Sequence, residues 1–181
     1  MMQRPNFMIV SGNGRNTGKT SFVCDVIRKI CKKYTVTAIK VSPHQHDKHI
    51  QEPLFEDAGY AIWEEHRQDG VKDSSRMLLS GASRVYYVES TDAYLSNALA
   101  HLLPLIPPGN AVICESGGLR KLIEPSLLVL MNEEGREEKK PSYLELLPLA
   151  DATFTFFGDG FDPEPNIIGF NGTEWILLPL F

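Results

Sequence analysis

Cysteine is scarce and unpatterned: Cys24, Cys31 and Cys114 are the only three among 181 residues, and no Cys-x-x-Cys occurs. That argues against a disulfide scaffold or a cysteine metal cage and leaves reduced structural thiols. Positive charge is also short. Eighteen Lys and Arg against 23 Asp and Glu give a net charge of −5, the opposite of a nucleic-acid-binding surface. No apolar run reaches the length of a membrane span, and the N-terminus lacks a signal-peptide pattern. The expectation is a cytoplasmic protein with neither nucleic acid nor membrane as partner. What is present is 43% hydrophobic residues, enough for a core without staples, so residues 1–181 read as one domain.

Along the chain, short apolar runs alternate with helical spacing. Phe7–Val10, Val36–Lys40, Arg84–Glu89, Ala111–Glu115, Leu127–Met131 and Ala152–Phe157 read as strands. Lys19 to about Lys33, Asp73–Leu79, Ala93–Leu103 and Pro141 to about Leu149 read as helices, Pro141 suiting a first turn. Residues 42–70 read as a long polar segment, and Asn132–Lys140 as a charged loop. Asn171-Gly172 between Asn166–Phe170 and Thr173–Leu178 is a hairpin signal. The pattern predicts a mostly parallel α/β sheet flanked by helices, ending in an antiparallel hairpin.

The most informative stretch follows the first strand: Gly12, Asn13, Gly14, Arg15, Asn16, Thr17, Gly18, Lys19, Thr20, with Ser21 next. A buried strand feeding a glycine-rich turn that opens a helix aims backbone N–H groups and the helix dipole at one point, where a polyphosphate sits. Lys19 would reach the β- and γ-phosphates, and Thr20 would offer its hydroxyl to Mg²⁺. The spacing is one residue longer than usual, with Asn13 where a standard loop would place Gly, and Asn tolerates left-handed backbone. Arg15 either adds positive charge to the loop or faces solvent.

Four other places are candidates. Glu115 ends an apolar strand ahead of Ser116-Gly117-Gly118, where a carboxylate points into the ligand crevice and suits Mg²⁺, and the Gly-Gly leaves room for phosphate. Asp73 reads from spacing alone as a helix N-cap; its functional alternative is Mg²⁺ ligation or orientation of a nucleophile. Lys40, at the end of the second strand, is either solvated or in contact with a terminal phosphate or a substrate carboxylate. His44, His46 and His49 lie in a polar loop with no cysteine nearby to complete a metal site.

The loop, the Ala38-Ile39-Lys40 strand end, Lys72-Asp73-Ser74 with Arg76, and Gly81-Ala82-Ser83-Arg84-Val85 occur in an order that resembles MobB-type proteins, P-loop adaptors of molybdopterin-guanine dinucleotide biosynthesis. The resemblance spans about Phe7 to Glu115. Val41-Ser42-Pro43 stand where that family usually has a His soon after the lysine, and Tyr60-Ala61-Ile62-Trp63 extends the segment before Lys72. A second resemblance is to dethiobiotin synthetase, whose loop also has five residues between Gly and Gly-Lys-Thr, and whose Glu-Gly-Ala-Gly-Gly is similar to Glu115-Ser116-Gly117-Gly118.

These resemblances imply a three-layer P-loop NTPase fold, with Thr20, Asp73 and Glu115 as the Mg²⁺ shell. Lys19, Lys40 and Asp73 would be the catalytic set. They imply Mg²⁺-dependent binding and slow hydrolysis of ATP or GTP, a partner enzyme of cofactor biosynthesis, and a homodimer. Tyr60, Ile62 and Trp63, an apolar piece in a polar segment, would either bury against the second copy or fold back on their own sheet. The alternatives are a ligase or kinase acting on a small carboxylate or carbamate, and a non-catalytic nucleotide-switched adaptor. No Asn-Lys-x-Asp guanine motif follows the strand before Asn132; Asn171 and the Lys139-Lys140 pair are candidates to meet a base, against bland roles as hairpin turn and surface lysines.

Overall fold

The central strand, β1 (Met2–Gly12), carries four consecutive buried apolar residues, Phe7 to Val10. Side chains alternate along a strand, so Phe7 and Ile9 enter one core layer while Met8 and Val10 enter the other. A strand apolar on both faces belongs inside a parallel sheet covered on both sides, and the fold follows from that. The computed structural model describes residues 1–43 and 52–179; His44, His46 and His49 lie outside the described residues.

The elements in order are β1, α1 (Lys19–Ile30), β2 (Val36–Ser42), β3 (Phe55–Asp57), β4 (Tyr60–Glu64), α2 (Asp73–Leu79), β5 (Arg84–Ser90), α3 (Leu95–Leu102), β6 (Ala111–Glu115), β7 (Ile123–Glu133), α4 (Pro141–Leu146), β8 (Ala152–Phe156), β9 (Phe161–Asp162), β10 (Ile168–Phe170) and β11 (Trp175–Leu177). The main sheet runs β3-β4-β5-β2-β6-β1-β7-β8-β9. Its six inner strands, β5 to β8, are parallel, and β3, β4 and β9 add antiparallel edges. One face packs on α1, α2 and the β10–β11 hairpin through Phe22, Ile27, Met77 and Trp175; the other packs on α3 and α4 through Leu99, Leu102 and Tyr143. The mixed α/β architecture expected from the sequence is therefore present.

Three expectations about elements are corrected. Residues 42–70 are not simply a polar loop. Within them, β3 and β4 form a hairpin closed at Gly59 (φ 96), and β4 pairs antiparallel with β5. Tyr60 and Ile62 fill the α3-side core and Trp63 packs near Tyr87 at 6.0 Å between ring centroids. Burying a large apolar side chain is worth about 1.5–3 kcal/mol, which favours docking on the chain's own sheet. The same burial removes the support these residues lent to a homodimer.

The C-terminal hairpin exists, but as a separate two-stranded sheet against the α1-side core, joined by the four residues 171–174 rather than a two-residue turn. Asn171 Oδ1 accepts the Thr173 and Glu174 N–H groups, at 2.9 and 3.0 Å, so its side chain makes the turn and is not placed to read a base. Helix α1 also stops at Ile30, three residues early, because the Lys33 and Tyr34 N–H groups both turn back to the Ile30 carbonyl. Cys24 is buried and Cys31, the C-cap, is half-buried against the same layer; both, with Cys114, are free thiols. Among the described residues no helix is long and apolar enough to cross a membrane.

Candidate functional site

The C-terminal ends of β1, β2, β6 and β8 line one crevice, and the Gly12–Gly18 turn crosses it. The loop needs three left-handed positions: Gly14 (φ 121), Asn16 (φ 63) and Gly18 (φ 71). Two are glycines and the third is an Asn, the side chain that tolerates this region best. The sequence reading placed that tolerance at Asn13; the structure moves it to Asn16. Gly12 is required for a different reason, since a Cβ there would lie 2.7 Å from Thr17 Oγ1.

Helix α1 begins at Lys19 with no side-chain cap and no acidic residue in its first turn. Its first N–H groups and positive dipole end are therefore left without a side-chain partner at the cap. Lys19 folds back over the loop, its Nζ donating to the Gly14 carbonyl at 2.5 Å and to Thr17 Oγ1 at 3.0 Å. Burial lowers its pKa below the ordinary lysine value, with Glu115 acting against that shift.

Opposite the loop, three strand and helix ends meet. Glu115, 3% exposed, accepts the Thr20 hydroxyl at 2.8 Å on one oxygen and the Lys40 ammonium at 2.5 Å on the other. Lys40 also pairs with Asp73 at 3.0 Å. Burial opposes the charge on Lys40, but Glu115 and Asp73 outweigh it and raise its pKa. Burial likewise opposes ionisation of Asp73, and Lys40, helped by Thr20 and Arg76, outweighs it, so the Asp73 carboxyl is held below its ordinary value. Strand-end Lys40 is thus bound between two carboxylates rather than solvated.

Asp73 is not the helix cap that spacing suggests. Lys72 holds the cap position, and Ser75 Oγ accepts the Lys72 N–H at 3.1 Å, freeing the Asp73 carboxylate to point at Lys40. Arg76, one turn on, donates to Ser21 Oγ at 3.0 Å. Helix α2 is held in place by the residue that follows β4: Glu65, 6% exposed, accepts from Ser74 at 2.6 Å and from Arg67. Burial opposes ionisation of Glu65, and the Arg67 and Ser74 hydrogen bonds outweigh it, lowering its pKa. The stabilisation is therefore complete above the unfolded value of about 4.3 and lost as pH falls through the folded one. Glu65→Gln should flatten the acid limb of a Tm-versus-pH curve between about pH 5 and 3; an unchanged limb would show that this buried carboxylate does not anchor α2.

Loop, α1 start and carboxylates line one cavity of about 750 Å³ that also includes Gly117, Lys140 and Phe156. Space behind Glu115 exists at Gly117 only, because a Cβ at Gly118 would meet Leu95 at 3.0 Å. The Arg15 side chain is exposed, in keeping with its bland reading, and its carbonyl accepts from Arg136 at 3.3 Å. Lys139 is not free to stack on a base: its Nζ donates to Asn132 Oδ1 at 2.8 Å and lies 5.5 Å over the Tyr143 ring.

The metal question turns on the donors. Thr20, Glu115 and Asp73 present hard oxygens around a single ammonium, a set that suits Mg²⁺. Among the described residues no group of three or more His, Cys, Asp or Glu could by itself hold a metal ion. Such a site needs ligand phosphates and water to complete it, as Mg²⁺ commonly does.

Sequence reasoning missed the side-chain role of Asn13 and the placement of Phe156 beside Gly18, where a Cβ would meet its ring at 2.6 Å. Neither carried a local signal, since both depend on a loop and strand distant in sequence. Comparison with protein-family models, with curated proteins and with solved structures found no match.

Proposed function

We propose that this chain binds a purine nucleoside triphosphate with Mg²⁺ through a P-loop and hydrolyses it slowly, in a MobB-like accessory role in cofactor biosynthesis. The observation that carries the reading is the convergence of an uncapped helix N-terminus, Lys19, the Thr20 hydroxyl and the Glu115 and Asp73 carboxylates on one cavity. Loop amides and Lys19 would neutralise the phosphates, with Lys19 leaving its present partner, the Gly14 carbonyl, for the β- and γ-phosphate oxygens. Mg²⁺, when bound, would supply charge neutralisation across those phosphates. Thr20 and Glu115 would hold it, and Asp73 would orient the attacking water.

Two observations favour hydrolysis over transfer to a small acceptor or a pure adaptor role. Lys40 is engaged by two carboxylates, which leaves no free strand-end lysine for a substrate carboxylate or carbamate. The apolar residues of 60–63 are buried in the sheet rather than displayed to a partner.

Thermal shift with ATP, GTP and their diphosphates, with and without Mg²⁺, tests the reading. Binding at a hundred times Kd should stabilise the fold by about 2.7 kcal/mol. Glu115→Gln keeps shape but removes charge, so the Mg²⁺-dependent part of that shift should largely vanish. Absence of any shift with all four nucleotides would sink the proposal.

A further inference from the structure

The amide of Asn13, fully buried, serves a segment of the chain far from its own loop. Its Nδ2 donates to the Glu138 carbonyl at 2.7 Å, and its Oδ1 accepts the Lys140 N–H at 2.8 Å. Both ends of one side chain thus hold the backbone of the β7–α4 connection, in the manner of a strand pairing. The grip brings two cations onto the glycine-rich loop. A Cβ at Gly14 would meet Arg136 Nη1 at 3.0 Å and Lys140 Cε at 3.5 Å.

Those two cations differ. Arg136 is engaged, donating to Glu133 Oε2 at 2.5 Å and to the Arg15 carbonyl at 3.3 Å. The Lys140 ammonium, unlike its backbone, has no hydrogen-bond or ion-pair partner among the described residues, yet the residue lines the same cavity as Lys19. Its charge acts with burial in keeping Lys19 below the ordinary lysine value. Two ammonium groups facing one cavity repel each other, and a polyanion between them turns that cost into attraction.

We propose that Lys140 is a second phosphate-contacting lysine, delivered by the β7–α4 connection and positioned by Asn13, and that its ligand is the polyphosphate of the nucleotide seated on the Gly12–Ser21 loop. This rests on the nucleotide reading above. It also explains why a buried Asn stands where a standard loop would have glycine: the side chain couples the loop to the segment that brings the second cation.

The test is titration of wild type, Lys140→Gln, Lys140→Arg, Asn13→Ala and the Asn13→Ala/Lys140→Gln double variant with Mg²⁺-ATP, Mg²⁺-GTP and inorganic tripolyphosphate at two salt concentrations. Lys140→Gln should weaken all three about tenfold and reduce the salt dependence, with Lys140→Arg retaining most of the affinity. Asn13→Ala should cost a similar factor, and the double variant should be no weaker than the worse single one. Lys140 is on the surface, so its variants test the proposal even where Asn13→Ala lowers Tm. Binding by Lys140→Gln within twofold of wild type would overturn the proposal and leave the nucleotide reading standing. Loss for nucleotides but not for tripolyphosphate would overturn it in favour of a base contact. Multiplying losses in the double variant would remove the positioning role of Asn13. Failure of wild type to bind any of the three would overturn both readings.

Discussion

Lys19→Ala is expected to remove nucleotide binding by at least about 100-fold while leaving the unliganded fold intact. Hydrogen bonds to charged groups contribute about 1.5–3 kcal/mol each, and Lys19 would make two or more to phosphate oxygens. The unliganded protein gains little from its charge. Burial works against the ammonium, and its partners are the Gly14 carbonyl and the Thr17 hydroxyl of its own loop. Apo Tm should therefore move by no more than a few degrees, while nucleotide-induced stabilisation disappears. Undiminished binding of both ATP and GTP by Lys19→Ala would refute the phosphate role of this loop.

Lys40→Met should have the opposite profile, a large loss of stability before any ligand is added. Removing the lysine strands Glu115, which is 3% exposed and, among the described residues, keeps only the Thr20 hydroxyl as a hydrogen-bond donor. Breaking a buried pair from one side costs about 3–5 kcal/mol. The sign of the pH dependence follows from the shifts. The raised Lys40 pKa gives stability that is present below the unfolded lysine value of about 10.4 and is lost as pH rises through the folded one. The lowered Asp73 pKa gives stability present above about 3.9 and lost as pH falls through the folded value. Wild type and Lys40→Met should therefore differ most on the plateau between those limits and converge in acid. Mg²⁺ alone should restore little of the loss, because the two carboxylates would hold it only with ligand phosphates and water completing its shell. Lys40→Met/Glu115→Gln should restore most of it, because no buried charge is left unpaired. A Tm for Lys40→Met equal to wild type at pH 7 would show that the cluster carries no structural weight.

The local elements were largely legible. Helix α2 begins and ends where its spacing predicts, and β6 is the Ala111–Glu115 run read from its apolar pattern. Glu115 and Lys40 were recognisable as strand-end residues because a parallel sheet delivers its strand ends to one edge. What sequence did not show is that they bind each other, since they lie 75 positions apart and meet only through the β2–β6 pairing that sets Lys40 opposite Glu115. The β3–β4 hairpin was hidden for a related reason. Its strands are short, and Tyr60–Trp63 is joined to the main sheet by pairing with β5, which follows it in sequence.

By itself, then, the sequence determined the strand–turn–helix that carries the glycine-rich loop, the alternation that makes an α/β sheet, and the carboxylate and lysine at the strand ends. Each depends on spacing within a few residues, where backbone sterics and hydrophobic period decide the outcome. The tertiary structure alone decided which side chains meet. It clamped Lys40 between Glu115 and Asp73, turned Tyr60, Ile62 and Trp63 inward, and gave the Asn13 amide to the backbone at Glu138 and Lys140. Those contacts join residues tens of positions apart, and no local periodicity encodes them; only closing the sheet and packing its two faces brings them within hydrogen-bond distance.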